Sequence, residues 1–274
     1  MDELRRYLPV HLNELDLSAE LLQLNGRIGF QDGYYFLAGR QAIVALRRSR
    51  EAPSRRVLGR ARLYGRVLSV LPFIRMTAVT GSLAVLNCDQ TSDLDFMLVA
   101  KPGRLWTARA CALALNRLTR LFGDTLCPNL IVSETALEWP LHDLYSAREL
   151  CQMILVSGEE VYARLLAANP WVDAVLPNAR ESAAAVRLPR RASILQMLLE
   201  LPLAGKVGDW FEAWEMKRKI ARLSKQAGYG VETFFNADVC QGNFHHHRAW
   251  AREFFEKRLE ELGVAEPVAV GVDG

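Results

Sequence analysis

The chain has few cysteines, and they follow no pattern typical of a disulfide or a metal site. Five cysteines are scattered over 274 residues, and no Cys-x-x-Cys pair occurs. An odd, dispersed set of this kind argues against a disulfide framework and against a structural zinc site, and it suits a reducing compartment. We therefore expect a cytoplasmic protein.

Long apolar runs are missing as well. The run 194–201 is interrupted by Gln196 and Glu200, whereas a membrane-spanning helix needs about 20 mainly apolar residues. The first residues, Met1–Arg6, contain no apolar core, so we expect no signal peptide. These absences predict that the membrane is not a partner. The net charge of +3 is mild, and by itself it says little about nucleic acid.

The composition is otherwise that of a globular protein. Half of the residues are hydrophobic and 24% are charged, which is close to the average of folded domains. A chain of 274 residues can bury a large core, and it can hold one large domain or two to three small ones.

A short motif in the first half of the chain carries chemistry. Thr80-Gly81-Ser82 is followed, after ten residues, by Asp93-Leu94-Asp95-Phe96. If residues 94–99 form a strand, Asp93 and Asp95 lie on the same side of its start, because residues two apart share a face. Two carboxylates together with substrate phosphates are a usual set of ligands for Mg²⁺. A glycine turn lets the backbone approach a triphosphate, and the serine hydroxyl and turn amides can donate to its oxygens.

This motif resembles the signature of the DNA polymerase beta-like nucleotidyltransferase superfamily, in which Gly-Ser or Gly-Gly precedes Asp-x-Asp by about ten residues. The resemblance implies an α/β (α+β) fold, with a small mixed sheet and flanking helices. It also implies Mg²⁺- or Mn²⁺-dependent transfer of a nucleoside monophosphate from an NTP. Asp93 and Asp95 would be the catalytic metal ligands, and Gly81 and Ser82 would bind the nucleotide. The alternative is an ordinary turn followed by a loop rich in helix-capping residues.

Other segments look like a prokaryotic branch of nucleotidyltransferase-like proteins that brings no known substrate with it. These segments are Leu126-Cys127-Pro128-Asn129, Ala147-Arg148-Glu149-Leu150, Asn169-Pro170-Trp171 and Leu176-Pro177-Asn178.

The family's third carboxylate is the uncertain position. It usually stands on a later strand, and the candidate strand here, 128–133, offers Asn129 in its place. Asparagine can coordinate a metal through its carbonyl but cannot remove a proton. Asp124 and Glu134 flank the strand without matching the position. Either another group or solvent deprotonates the acceptor, or the chain binds nucleotide with weak or no transferase activity.

The pattern along the chain predicts three segments and a tail. In residues 1–50 the pattern predicts helices over 4–15 and 18–25, the second capped by Ser18. A hairpin at Asp32-Gly33 follows. Together the helices and the hairpin resemble a winged-helix unit. Such a unit contacts nucleic acid or serves as a packing or docking module. The remaining segments are a nucleotidyltransferase core with a preceding basic helical part (51–145), a helical domain (146–265) and a disordered tail (266–274). In the core, the pattern predicts strands over 76–80 and 96–100 around the Gly-Ser turn, then a helix over 105–122 and a strand over 128–133, which is a strand-helix-strand order. In the helical domain, it predicts among others a loose helix over 182–187.

Basic residues are concentrated in two places. Residues 39–68 contain nine arginines, and we expect a helix on each side of Pro53. The arginines of these helices either line a phosphate-rich cleft or an RNA surface, or form a solvated helix face. In the C-terminal half, one of Lys217, Lys219 or Arg222 could hold the triphosphate, and we name Lys217; an exposed charged face is the alternative. His245–His247 cannot chelate one ion together, because neighbours on a helix point about 100° apart.

The sequence thus predicts a Mg²⁺-dependent nucleotidyltransferase that moves AMP or another NMP from an NTP to a hydroxyl and releases pyrophosphate. The acceptor is unidentified, and a small molecule, a protein and RNA all remain open. Two alternatives are a nucleotide-binding regulatory pseudoenzyme and a nucleic-acid-binding protein that uses the basic N-terminal region.

Overall fold

The fold is mixed α/β, as predicted. A computed structural model describes residues 1–24, 26–89, 93–179 and 194–263. The strands are β1 Ile28–Gln31, β2 Tyr34–Leu37, β3 Ile74–Val79, β4 Leu94–Ala100, β5 Leu126–Ser133, β6 Ile154–Ser157, β7 Thr233–Phe235 and β8 Val239–Gly242. The α-helices are α1 Asp2–Arg6, α2 Glu14–Gln23, α3 Ala42–Val70, α4 Gly81–Ala84, α5 Leu105–Thr119, α6 Leu144–Gln152, α7 Glu159–Ala167, α8 Val172–Val175, α9 Ile194–Glu200, α10 Gly205–Leu223 and α11 His247–Leu262.

Six strands form one mixed sheet in the order β6-β3-β4-β5-β8-β7. Strands β4 and β5 are parallel and are joined by helix α5, while the other neighbours pair antiparallel. The strands predicted before and after the Gly-Ser turn, the strand over 128–133 and the helix from Leu105 are all present. A parallel pair needs such a crossover helix, which is why the strand-helix-strand pattern was informative.

Helices cover both faces of this sheet. On one face, alternate residues of β4 such as Phe96 and Leu98 pack with Leu68 of α3 and Trp106 of α5. On the other face, Met97 and Val99 pack with residues of α6, α7 and α8. Asp95 stands on this second face of β4, because it is two residues before Met97.

The N-terminal helices differ from the prediction. Helix α1 ends at Arg6, and α2 begins at Glu14 because Asn13 caps it, accepting a hydrogen bond from Asp16 N at 2.9 Å. Ser18, the predicted cap, lies inside α2 and its hydroxyl donates to Glu14 O instead. The predicted hairpin is confirmed: Asp32 and Gly33 both have positive φ, as the tight turn between antiparallel strands requires.

The break predicted at Pro53 is wrong. Helix α3 is 29 residues long and passes through Pro53 without a break, although proline removes one helical hydrogen bond. Buried residues on both sides of the proline, including Val44 and Leu58, hold the two halves in one helix. Residue 50, the predicted end of the first segment, therefore falls within a continuous helix. The segment before it also bonds to distant parts of the chain, as when Arg6 donates to Cys151 O at 2.9 Å.

The third segment is only partly helical. Strands β6, β7 and β8 belong to the central sheet, where β6 pairs with β3 and β8 pairs with β5. The central sheet thus draws on residues outside 51–145. Short strands are hard to predict because three or four residues show little alternation. The predicted helix over 182–187 and the predicted tail over 266–274 lie outside the described residues.

Candidate active site

The Gly-Ser turn lies directly against one of the predicted carboxylates. Thr80, which follows β3, donates its backbone N–H to Asp95 O at 3.0 Å. Gly81 has φ +66°, and a Cβ added to it would lie 2.5 Å from Asp95 Oδ2. Only glycine fits here, because any side chain would meet this carboxylate in a backbone conformation that L-residues avoid. Ser82 is exposed in the first turn of α4.

Asp93 and Asp95 are brought together at the start of β4. Asp93 is exposed just before the strand, and Asp95 is half-buried within it. Burial raises the pKa of Asp95 to about 6, the hydrogen bond from Asn129 opposes this rise, and the negative charge of Asp93 adds to it. The two carboxylates therefore interact, and Asp95 lies next to the glycine turn.

Asn129 orients Asp95 through a hydrogen bond. In the β4–β5 ladder Phe96 pairs with Pro128 and Met97 pairs with Leu130, so Asn129 is the extra residue of a bulge. Its Nδ2 donates to Asp95 Oδ1 at 2.6 Å, and bulges often re-aim a side chain beside a site in this way. The position predicted for a third carboxylate thus holds an amide bonded to one of the other two.

A neighbouring cysteine completes this arrangement. Asn129 Oδ1 accepts a hydrogen bond from Cys127 Sγ at 2.7 Å. Burial, together with the charges of Asp95 and Asp93, raises the pKa of the Cys127 thiol to about 12. The thiol therefore stays protonated at neutral pH and acts as a donor, which leaves the amide nitrogen of Asn129 for Asp95.

Sequence reasoning missed a carboxylate on α6. Burial raises the pKa of Glu149 to about 7, and the charge of Asp95 contributes to this rise. Tyr145 stands one turn earlier on the same helix, and its pKa is raised by burial and by surrounding carboxylates that include Glu149 and Asp95. The signal in the sequence was two polar residues four apart on a helix that also buries Ala147 and Leu150.

The two acids that flank β5 are engaged elsewhere. Glu134 forms an ion pair with Arg164 at 3.0 Å. Asp124 accepts a hydrogen bond from the Tyr64 hydroxyl at 2.8 Å and forms an ion pair with Arg60 at 3.1 Å. Both contacts tie helices to the sheet, so we assign these carboxylates a structural role.

Lys217 lies away from these groups. It is exposed on the outer face of α10, whereas Lys219 is half-buried on the inner face. Burial lowers the pKa of Lys219, and the charge of Arg109 on α5 lowers it further. Arg109 in turn acts on the Cys127 thiol beside Asp95. Arg109 is therefore the cation whose charge reaches Cys127 beside Asp95, and Lys219 lies close to Arg109. Lys217, the predicted nucleotide-binding residue, is exposed on the other side of α10.

The basic stretch before the motif is largely engaged within the protein. Arg47 donates to Val85 O at 2.6 Å, in the loop that follows the Gly-Ser turn. Three further arginines form ion pairs with acidic residues: Arg48 with Asp32, Arg55 with Glu51 and Arg60 with Asp124. Arg47, Arg48 and Arg60 tie α3 to other parts of the chain, whereas the Arg55–Glu51 pair lies within the helix. Together these contacts account for part of the charge that suggested an RNA surface.

Comparison of the chain with protein-family models, with curated proteins and with solved structures gave no match. Within the part of the chain that the structure describes, no three His, Cys, Asp or Glu side chains form a group suited to a metal ion. Across those same residues, no helix has the length and apolar character needed to cross a bilayer.

Proposed function

We propose that the protein is a Mg²⁺-dependent nucleotidyltransferase that transfers an NMP from an NTP to a hydroxyl acceptor and releases pyrophosphate. One observation carries this proposal: Asp95, paired with Asp93, lies so close to the Gly81 turn that a Cβ there would sit 2.5 Å from its carboxylate oxygen. Paired carboxylates beside a backbone turn are suited to a triphosphate with its metal ion.

The donor set fits Mg²⁺ or Mn²⁺. Hard divalent cations prefer oxygen ligands, and Mg²⁺ is commonly held by one or two carboxylates together with substrate phosphates. Asp93 and Asp95 supply two carboxylates, and burial together with the negative charge of Asp93 raises the pKa of Asp95. These two residues would hold the ion. A bound ion would neutralise the negative charge that develops on the phosphate oxygens during the transfer.

The remaining roles belong to the protein's own groups. The backbone N–H groups of the Gly81–Ser82 turn and the Ser82 hydroxyl would donate to the triphosphate. Asn129 would keep Asp95 in place through its hydrogen bond. Phosphoryl transfer depends mainly on such positioning. The acceptor hydroxyl must also lose a proton, which Asn129 cannot take. Glu149, whose carboxylate interacts with that of Asp95, is the group that we expect to take it.

A nucleotide-binding regulatory protein without transferase activity is the second candidate. It is favoured by the amide of Asn129, which occupies the place of a third carboxylate and is already bonded to Asp95. In this case the same turn and the same two carboxylates would bind the nucleotide, and the chain would signal its presence.

Nucleotide transfer is the direct test. The protein is incubated with each labelled NTP, Mg²⁺ or Mn²⁺, and cell extract as the source of acceptor. We expect transfer of label that Asp93→Asn and Asp95→Asn each abolish. Glu134→Gln is the matched control, because this carboxylate is paired with Arg164, and it should retain activity. Label transfer that survives both aspartate changes would overturn the proposal.

Binding and a gain-of-function variant separate the two candidates. NTP binding by calorimetry without transfer would favour the regulatory protein. Asn129→Asp adds a carboxylate at the family position, and increased transfer in this variant would indicate that the metal site lacks its third ligand. Loss of transfer in Glu149→Gln with NTP affinity unchanged would support Glu149 as the proton acceptor.

A further inference from the structure

Helix α9 is attached to the rest of the protein by its polar side chains. Gln196 is buried, and its Nε2 donates to the backbone oxygens of Leu71 and Ile74, each at 2.8 Å. Glu200, one turn later on the same face, accepts hydrogen bonds from Phe73 N and from Arg75 Nη1, also at 2.8 Å. The side of the helix that faces the protein is therefore its polar side.

The apolar side chains of α9 point outward. Ile194 is 77% exposed, and Met197 and Leu198 are each 58% exposed. A surface helix normally shows the opposite arrangement, with its apolar stripe on the core. The exposed apolar residues continue past the end of α9 into the first turns of α10. We call this set the α9–α10 apolar surface: Ile194, Leu195, Met197, Leu198, Leu199, Leu201, Val207, Trp210 and Trp214.

Lysines border this surface. Lys206 is four residues before Trp210 and Lys217 is three residues after Trp214, so both lie on the tryptophan face of α10. Lys101 lines a groove of about 450 Å³ whose other walls include Met197 and Leu198. Among the described residues none of these three lysines forms a salt bridge.

Two acidic residues nearby are paired with arginines. Asp209 pairs with Arg104 at 2.5 Å, and Glu200 pairs with Arg75 at 2.8 Å. Glu212 of α10 accepts hydrogen bonds from the N-terminus of α5, and the charge of Lys101 acts on Glu200. Lys206 and Lys217, which form no salt bridge among the described residues, therefore leave positive charge at the border of the α9–α10 apolar surface.

We propose that the α9–α10 apolar surface binds an anionic lipid bilayer as a peripheral contact. Tryptophans and lysines around a leucine-rich face are typical of protein surfaces that lie in the bilayer interface, with apolar side chains among the acyl chains and ammonium groups at lipid phosphates. A second copy of the chain fits less well. A two-fold contact through the same surface would bring Lys206 and Lys217 of each copy toward those of the other. The proposal departs from the sequence-based expectation that the membrane is not a partner, because that expectation rested on the lack of a spanning segment, which a peripheral contact does not need. It concerns where the protein acts, and it stands independently of the reaction at Asp93 and Asp95.

Co-sedimentation with vesicles tests the proposal. The full chain is mixed with phosphatidylcholine vesicles or with vesicles of equal parts phosphatidylcholine and phosphatidylglycerol. We expect binding to the anionic vesicles and a blue shift of tryptophan fluorescence. Leu198→Glu should weaken this binding by at least about tenfold. Lys206→Glu and Lys217→Glu should each weaken it by about fivefold or more.

A control variant and two contrary outcomes make the test decisive. Phe122 is 80% exposed in the turn after α5, so Phe122→Glu makes a matched change elsewhere and should leave vesicle binding unchanged. No sedimentation of the wild-type chain with anionic vesicles would overturn the proposal. A dimer detected by light scattering, lost in Leu198→Glu and unaffected by vesicles, would assign the surface to a second copy instead.

Discussion

At the scale of single residues, Asp95 depends on neighbours from separate parts of the chain. The Gly81 turn leaves room for its Oδ2, and Asn129 of β5 donates to its Oδ1. Asp93 and Glu149 add negative charge nearby. The carboxylate is therefore well oriented but costly to ionise in the absence of a cation.

Replacing Gly81 should disturb the site more than replacing a comparable glycine. Gly81→Ala and Gly123→Ala both place a side chain at positive φ, which costs about 1 kcal/mol or more. Gly123 has open space around it, whereas the new Cβ at Gly81 would meet Asp95. We expect Gly81→Ala alone to weaken NTP binding, by about tenfold or more, as measured by calorimetry. Equal affinities in the two variants would contradict the close contact between turn and carboxylate.

Removing the charge of Asp95 should stabilise the protein at neutral and alkaline pH. The pKa of this group in the folded chain is about 6, above the ordinary 3.8, so its ionisation costs more in the folded than in the unfolded state. Asp95→Asn should raise the free energy of unfolding by up to about 3 kcal/mol near pH 8. The gain should shrink as pH falls through 6 and vanish below about 4. Thermal unfolding of both proteins, with chelator present and at several pH values, measures this gain in stability. A gain that grows toward low pH would contradict the raised pKa of Asp95.

At the scale of elements, helices are fixed by side chains from elsewhere in the sequence. The N-terminus of α5 has no capping side chain of its own. Glu212 of α10 accepts hydrogen bonds there from Trp106 N at 2.8 Å and from Thr107 N at 2.7 Å. A carboxylate at a helix N-terminus satisfies free N–H groups and is favoured by the helix dipole.

Glu212→Ala should therefore destabilise the fold. It leaves two backbone donors of α5 without their partner, and we expect a loss of about 1–3 kcal/mol in the free energy of unfolding. Urea denaturation measures this loss. Glu253→Ala, at an exposed position of α11, is the control and should change stability by less than about 0.5 kcal/mol. A similar loss in both variants would refute the capping role.

At the scale of the whole molecule, the central sheet joins distant parts of the sequence. Strand β6 pairs with β3 from the middle of the chain, and β8 pairs with β5. Asn178 likewise donates to backbone oxygens of Arg5 and Val10 near the N-terminus. Segments that look separate in the sequence thus share one sheet and its hydrogen bonds.

A fragment containing residues 1–153 should fail to fold. It keeps β3, β4 and β5 but loses both outer neighbours of that trio, β6 and β8, along with α10, which packs on α5. Exposed strand edges and uncovered apolar faces favour aggregation over folding. Dispersed amide signals in an NMR spectrum and a cooperative unfolding transition for this fragment would refute the prediction. The full chain serves as the reference.

The sequence alone determined the features that depend on local geometry. The strands around the motif, the hairpin at Asp32-Gly33 and the crossover helix from Leu105 follow from periodicity and turn residues, which act over a few positions. The position of Asp95 on β4, with Asp93 just before the strand, likewise follows from local sequence.

Only the tertiary structure decided which distant residues meet. Glu149 reaches Asp95 because α6 packs on the second face of the sheet, and Asn129 turns toward Asp95 because of a bulge in the pairing of β4 with β5. Lys217 and Lys219 differ only in the face of α10 on which they lie. The apolar side of α9 faces outward because two polar side chains dock it. Each of these results comes from packing between elements, and helical or strand periodicity does not say which face meets which partner.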